Sequence, residues 1–232
     1  MMDSITTELL TYIQESPSPY HTVAASAERL KAAGFMELGL AEEWNLKPGG
    51  RYFVPIYGST LLAFSIGQAD GPLRMAAAHT DFPCFRLKPQ AGVMTEGYGK
   101  LNVEKYGGLI LRSWLDRPLS LAGKVVLRGA DAFHPETRLV DIGRPLLTIP
   151  SLAIHMNREM NKGVEYNPQV DLLPLLADVS FDEYDAHTTY DAQTASENAE
   201  EQPEAVEKPT LVALAAETAG VDAETILGED QI

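Results

Sequence analysis

Hydrophobic residues near the amino terminus recur at helical spacing. The apolar side chains that set this period are Ile5, Leu9, Leu10 and Ile13. They predict a helix over 4–16, which the prolines of the Ser-Pro-Ser-Pro sequence at 16–19 end. A second helix is expected from His21 or Thr22 to Ala33, where Gly34 supplies a left-handed stop.

The hydrophobic period then changes from helical to alternating. The alternation predicts a strand over 51–57, a hairpin turn at 57–60 and a second strand over 61–66. The short apolar run at 73–78 follows Gly71-Pro72 and is typical of a buried strand. Helices followed by these strands predict the opening part of a layered α/β domain.

Short strands separated by glycine, proline and charged turns dominate the chain from about residue 85 to 173. The predicted strands are 85–88, 100–103, 109–114, 123–127, 138–141 and 152–155. This shift predicts a second, β-rich domain inserted after the first. An exposed acidic loop is expected at 181–209, followed by a helix over 210–220.

Charge is concentrated in the last quarter of the chain. The sequence has 33 acidic and 18 basic side chains, for a formal net charge of −15. Of these, 15 acidic side chains and one lysine follow residue 177, so the preceding part is almost neutral. Nucleic acids and anionic membrane surfaces are bound by lysine and arginine, so we expect neither as a partner.

The cysteine count and the hydropathy pattern indicate a cytoplasmic protein. Cys84 is the single cysteine, which excludes an internal disulfide and a Cys-x-x-Cys site. Its surroundings do not indicate a nucleophile. The amino terminus lacks the features of a secretory signal, and no apolar stretch approaches the roughly 18 residues that a membrane span requires.

The most informative local feature is the sequence Ala-Ala-Ala-His-Thr-Asp, which ends in His79, Thr80 and Asp81 at the close of the predicted apolar strand. Ligands collect at the carboxyl ends of strands in open α/β sheets. Side chains two residues apart in an extended chain project to the same side, so Asp81 is placed to accept the imidazole N–H of His79. The other ring nitrogen is then left as a metal ligand. The spacing alone leaves open an ordinary histidine beside a helix or turn cap.

A second candidate is His155, which follows the alternating apolar residues Leu152 and Ile154. If those two side chains face a core, His155 faces solvent, a partner subunit or a site. The alternative is a surface histidine on an edge strand. The Tyr-Gly-Gly sequence at 106–108 lacks the glycine pattern and the Lys-Ser/Thr pair of a phosphate-binding loop.

Six short segments occur in order along the chain: SPSPYHTV at 16–23, AAHTD at 77–81, NVEKYGG at 102–108, WLDR at 114–117, RPLLTIP at 144–150 and LAIHMNR at 152–158. Taken together, they resemble the aspartyl aminopeptidase family of two-metal exopeptidases. The resemblance runs from about residue 8 to Pro174, and the helix around 211–227 also resembles that family. The whole ordered set is far more specific than any one segment.

The resemblance implies the fold, the cofactor and the roles of three residues. It implies a partial layered α/β catalytic domain at 1–94, an inserted β-rich dimerisation domain at 95–210, and a return to the catalytic domain at 211–232. His79 resembles the family's first metal ligand, and Asp81 resembles the carboxylate that orients it. His155 resembles the histidine that reaches across a dimer into a neighbour's active site. Two zinc ions are implied, with manganese or cobalt as alternatives.

The same resemblance implies a metallo-aminopeptidase that removes N-terminal, commonly acidic, residues from peptide substrates and assembles through dimers into dodecamers. The family's remaining metal ligands and its glutamate general base lie beyond the end of this chain. A two-metal site requires several carboxylates and histidines, so we expect the chain alone to be inactive. The alternatives are a non-catalytic dimerisation module, one half of a split enzyme, or a generic β-rich binding domain.

Overall fold

Two helices open the fold, as the sequence predicts. The computed structural model describes residues 4–67, 71–131, 133–177 and 211–230. Helix α1 spans Ser4–Gln14 and helix α2 spans Pro19–Ala32. Helix α2 begins earlier than expected because Ser18 caps it, accepting a hydrogen bond from the backbone N–H of His21, and because Pro19 suits the first helical position.

A small mixed sheet follows the helices. Strand β1 (Met36–Glu37) runs parallel to β2 (Arg51–Ile56), and β2 forms an antiparallel hairpin with β3 (Thr60–Ser65). The predicted hairpin is therefore confirmed. Phe53 and Val54 of β2 are fully buried, so this strand anchors the sheet.

The prediction of a buried strand at 73–78 is wrong. The segment has no strand assignment, and its side chains are exposed, with Leu73 at 86% and Met75 at 83%. A buried strand needs neighbouring strands on its edges and a covering layer on its faces. No strand of the described ranges pairs with this segment, so its apolar residues remain uncovered.

Two further sheets form the β-rich part of the chain. In one, β4 (Cys84–Thr95) pairs with β5 (Tyr98–Tyr106), which also pairs with the short strand β8 (Leu175–Ala177). In the other, β6 (Ala122–Leu127) lies between β7 (Glu136–Asp141) and β9 (Ile226–Asp230). The domain boundary expected at residue 94 falls in the β4–β5 hairpin, and the division into domains remains a prediction.

Helix α3 (Leu211–Ala219) packs on these two sheets, and its position agrees with the predicted helix. The shared core consists of Ala91, Leu101, Val103, Leu121, Val125, Leu127, Val140, Leu147, Leu211 and Ala215. Arg138 of β7 donates a hydrogen bond to the carbonyl of Ala219 at 2.9 Å, which places a cation at the negative end of α3. The acidic loop expected at 181–209 lies outside the described residues.

Two other predicted strands are wrong. Residues Leu111–Trp114 form a short 3₁₀ helix instead of a strand. The segment predicted as a strand at 152–155 is a turn, because the backbone N–H groups of Met156 and Asn157 both donate to the carbonyl of Ala153. In neither place does the described chain pair the segment with a strand of one of its sheets. Within the described residues, no helix is long and apolar enough to cross a membrane.

Candidate metal-binding site

His79 and Asp81 form the contact that their spacing predicts. The Nδ1 atom of His79 lies 3.0 Å from Oδ1 of Asp81. A carboxylate accepts a proton and does not donate one, so this geometry places the imidazole proton on Nδ1 and leaves the lone pair on Nε2. The His79 side chain is 89% exposed and that of Asp81 is 30% exposed, so the imidazole is open to a ligand.

A second hydrogen bond anchors the Asp81 carboxylate. The hydroxyl of Tyr106 donates to Oδ2 of Asp81. The bonds from Tyr106 and from His79 both stabilise the charged carboxylate, so the pKa of Asp81 is lowered from its ordinary value. The same contact raises the pKa of Tyr106, because the nearby carboxylate disfavours a phenolate.

Local backbone contacts hold the segment that carries this pair. The hydroxyl of Thr80 donates to the carbonyl of Ser59 at 2.7 Å, which ties the segment to the β2–β3 turn. On the other side, Pro83 packs against Gly107, which has a positive φ of 76° at the end of β5. A side chain at Gly107 would be strained in this conformation. The backbone of this segment is therefore held between the β2–β3 turn and the end of β5, although the preceding apolar run is not a strand.

The described residues include an exposed histidine, His79, whose ring is hydrogen-bonded to a carboxylate. They contain no group of three or more histidine, cysteine or acidic side chains that could hold a metal. Catalytic zinc has three protein ligands and one open position. The described residues therefore match only part of a zinc ligand set, and their geometry supports no step of a zinc-dependent reaction.

Cys84 makes no hydrogen bond to the His79–Asp81 pair within the described residues. It lies at the start of β4 and is partly buried. Burial raises the pKa of its thiol, because the thiolate is disfavoured away from water. Nucleophilic attack uses the thiolate, so this environment does not favour a nucleophilic Cys84.

His155 lies apart from the His79–Asp81 pair. It is exposed in the turn that follows Ala153 and makes no hydrogen bond or ion pair with any described residue. The condition that Leu152 and Ile154 face a core is not met within the described chain, since they are 58% and 46% exposed. The role of His155 across a dimer remains a prediction.

The sequence assigns Tyr106 no role of its own, although this residue lies in the Tyr-Gly-Gly and NVEKYGG segments. Tyr106 reaches Asp81 because β5 pairs with β4, so the contact depends on a pairing between distant segments. The sequence also gives no sign of the contact of Asp116 with Ser151, which joins the WLDR segment to the segment containing His155. Strand register and loop contacts of this kind have no local signal in the sequence.

The helices, the three small sheets and the His-x-Asp pair define part of an α/β metallopeptidase fold. The family model described as aminopeptidase I zinc metalloprotease (M18) matches residues 12–232. The chain therefore belongs to the M18 family of zinc aminopeptidases, as its sequence segments predict.

Relatives and solved structures agree with this assignment. The chain is 47% identical over 173 residues to a probable M18 family aminopeptidase 2 of Clostridium acetobutylicum, covering 73% of this chain and 40% of the relative. It is 42% identical over 186 residues to a protein of the same description from Pseudomonas entomophila, covering 79% of this chain and 43% of that relative. The chain thus spans well under half the length of these relatives.

Two solved structures show the same fold over almost the whole chain. A cryo-EM structure of the Ape4 and Nbr1 complex superimposes with a TM-score of 0.78 at 33% identity, covering 97% of this chain and 42% of that chain. The structure of Chaetomium thermophilum mApe1 gives a TM-score of 0.77 at 29% identity, covering 96% and 48%. These matches confirm the predicted fold class.

Proposed function

We propose that this chain supplies the amino-terminal part of a zinc aminopeptidase that removes N-terminal residues, preferentially acidic ones, from peptides. The observation that supports this function is the His79–Asp81 hydrogen bond in a chain of the M18 family. The pair has the geometry of a metal-ligating histidine and its orienting carboxylate. The preference for acidic residues rests on the sequence resemblance.

His79 ligates the metal through Nε2, and Asp81 keeps the proton on Nδ1 and fixes the plane of the ring. Zinc, when bound, polarises the peptide carbonyl and lowers the pKa of a bound water. Manganese or cobalt can replace zinc in this role. The chain's own contribution is to present one neutral imidazole, open to solvent, at a fixed place in the fold.

The remaining ligands come from elsewhere in the complete protein. The chain covers 40% of its Clostridium acetobutylicum relative, and its described residues contain no group of three or more side chains that could hold a metal. A single histidine does not hold zinc in the geometry that activates water. The isolated chain is therefore expected to be inactive towards peptides, and its proposed location is the cytoplasm.

The β-rich part is proposed to dimerise, with dimers building a dodecamer. Exposed apolar side chains lie on both sides of His155 in sequence, at Leu152, Ile154 and Met156. Soluble chains rarely leave such clusters open unless they form an interface. Burial of these residues against a second copy would place His155 near that copy, as the sequence resemblance implies.

These same exposed residues also support a second candidate function, a non-catalytic assembly module or one half of a split enzyme. As an assembly module the chain dimerises but contributes no metal ligand to a functional site, whereas half of a split enzyme contributes His79 in the same way as the first candidate. Both candidates predict dimerisation, so the state of assembly does not separate them. Peptidase activity that depends on His79 does separate them.

A complementation experiment tests the proposal. The chain is mixed with the carboxyl-terminal part of the Clostridium acetobutylicum relative and assayed on aspartyl, glutamyl and leucyl anilides with zinc, manganese or cobalt. We expect no turnover by the chain alone, turnover by the mixture, and loss of that turnover in His79→Ala. His134→Ala is the matched control, because His134 is also exposed and contacts a carboxylate, with Nδ1 lying 2.8 Å from Asp131.

The outcomes distinguish the two candidates. Turnover by the mixture that is lost in His79→Ala and retained in His134→Ala supports the peptidase. Turnover by the chain alone would contradict the proposal of an incomplete site. A mixture that associates but hydrolyses none of the anilides would support the assembly module.

A further inference from the structure

Tyr106 makes a contact that the proposed roles of His79 and Asp81 leave unexplained. Its hydroxyl donates to Oδ2 of Asp81, while Oδ1 of the same carboxylate accepts from Nδ1 of His79. The three side chains thus form a chain of hydrogen bonds from strand β5 to the exposed imidazole. Among the described side chains, each carboxylate oxygen has one partner, so rotation of the Asp81 side chain would break both bonds together.

The position of the Tyr106 ring is set by the sheet. Cys84 pairs with Tyr106 and Arg86 pairs with Glu104 in the antiparallel β4–β5 hairpin. Arg86 and Tyr106 are therefore diagonal neighbours on one face. The guanidinium of Arg86 stacks over the Tyr106 ring with its carbon 3.4 Å from the ring centroid. This cation–π contact holds the ring in place.

The backbone that carries His79 and Asp81 has no comparable support from a strand. Residues 71–83 belong to no described strand, and His79 is largely exposed. The Thr80 hydroxyl fixes the local backbone through Ser59, but it does not fix the rotamer of the Asp81 carboxylate. Within the described residues, the side-chain partners of that carboxylate are Tyr106 and His79 itself.

We infer that Tyr106 is a positioning residue for His79: it anchors the Asp81 carboxylate so that the imidazole is held with Nδ1 protonated and Nε2 presented to a metal. The inference rests on the proposed function, because that function gives the arrangement its use. The arrangement itself is measured without metal and without substrate. Tyr106 acts through Asp81 and does not contact the ligand.

The test uses nitrogen-15 NMR of the histidine rings in the full 232-residue chain, with Tyr106→Phe as the variant. Spectra are recorded near pH 8, above the ordinary histidine pKa of about 6.5. We expect His79 in the wild-type chain to be a single tautomer with the proton on Nδ1. Phenylalanine keeps the aromatic ring under Arg86 and removes only the hydroxyl, so the variant is expected to show a mixture of tautomers.

The matched control is Tyr98→Phe. Tyr98 lies on the same strand and on the same exposed side of β5, and its hydroxyl is not part of the chain of hydrogen bonds. The Tyr98→Phe substitution must leave the His79 tautomer unchanged. In Asp81→Asn the tautomer preference must also be lost, and adding Tyr106→Phe to that variant must cause no further change, because the two residues act as one unit.

A folded Tyr106→Phe chain with the wild-type His79 tautomer would overturn the inference. If Tyr106→Phe loses the dispersed amide spectrum of a folded chain, the contact is measured from the tyrosine side in Asp81→Asn. There the Cζ carbon-13 shift of Tyr106 must change while that of Tyr98 does not. An unchanged Tyr106 shift would overturn the inference.

The failure of this inference is distinguishable from failure of the proposed function. An unchanged tautomer in Tyr106→Phe, with peptidase activity of the mixture still dependent on His79, would remove the role of Tyr106 alone. A changed tautomer, with activity independent of His79, would remove the proposed function and leave the positioning contact intact.

Discussion

Asp116 accepts two hydrogen bonds from Ser151. The backbone N–H of Ser151 donates to Oδ1 at 2.9 Å, and its hydroxyl donates to Oδ2. The backbone N–H of Asp116 in turn donates to the carbonyl of Ile149 at 2.9 Å. These bonds attach the start of the segment that contains His155 to the turn after the 3₁₀ helix. Asp116 has a φ of 56°, in the left-handed region, so the contact is made despite a disfavoured backbone.

We predict that Asp116→Gly increases amide hydrogen exchange in residues 151–157. Glycine adopts the positive φ without strain, so the change reports the loss of the carboxylate. Exchange is measured by mass spectrometry or NMR on the full chain. The matched control is Tyr57→Gly, which removes another side chain at positive φ, 51°, in the distant β2–β3 turn. Unchanged protection of 151–157 in Asp116→Gly would show that the contact does not order this segment.

The same contact predicts a dependence on pH. The bonds from Ser151 lower the pKa of Asp116 from its ordinary value, because they stabilise the carboxylate. Its stabilising effect is therefore fully present above the unfolded-state pKa of about 3.9 and is lost as the pH falls through the lower folded-state pKa. We expect the exchange rates of 151–157 in wild type and Asp116→Asn to differ at neutral pH and to converge in acid. A difference that persists unchanged in acid would contradict this assignment.

The shared core of the two β-rich sheets predicts a large effect at Leu101. Its side chain is fully buried in the cluster that includes Val125 and Leu211. Leu101→Ala is expected to lower the free energy of unfolding by about 2–5 kcal/mol, because it removes buried surface and leaves a cavity. Denaturant unfolding measures this change. Leu73→Ala, at an exposed position outside the strands, is the control and is expected to change stability by less than about 0.5 kcal/mol. Similar effects at both positions would contradict the placement of the core.

The unpaired apolar segment at 73–78 predicts early proteolysis. Arg74 is exposed and belongs to no strand, whereas Arg86 lies in β4 and pairs with β5. We expect brief trypsin treatment to release a fragment that begins at Met75, and Arg74→Gln to abolish it. Mass spectrometry of the fragments identifies the site. Cleavage after Arg86 before cleavage after Arg74 would contradict the structure of this region.

Sequence patterns correctly predicted those structural features that are set by residues close to one another in the sequence. The β2–β3 hairpin follows from alternation on both sides of a turn, and the contact of His79 with Asp81 follows from a spacing of two residues. The apolar run at 73–78 failed as a prediction because a buried strand depends on which strands lie beside it. Composition and period carry no information about that pairing.

The rest of the candidate site depends on contacts between distant segments. Tyr106 reaches Asp81 through the register of β4 and β5, and Asp116 reaches Ser151 across a separation of 35 residues. The resemblance of the ordered segments identified the family correctly, because each segment is a run of consecutive residues that can be recognised in the sequence. It could not show the contacts that join one segment to another.

The zinc content of the reconstituted protein reports whether His79 is a metal ligand. The chain and the carboxyl-terminal part of its Clostridium acetobutylicum relative are combined, dialysed against a weak chelator and analysed for zinc by mass spectrometry. If His79 binds the metal, wild type and His134→Ala retain the same zinc content and His79→Ala loses zinc. Equal zinc in His79→Ala and wild type would show that His79 is not a ligand.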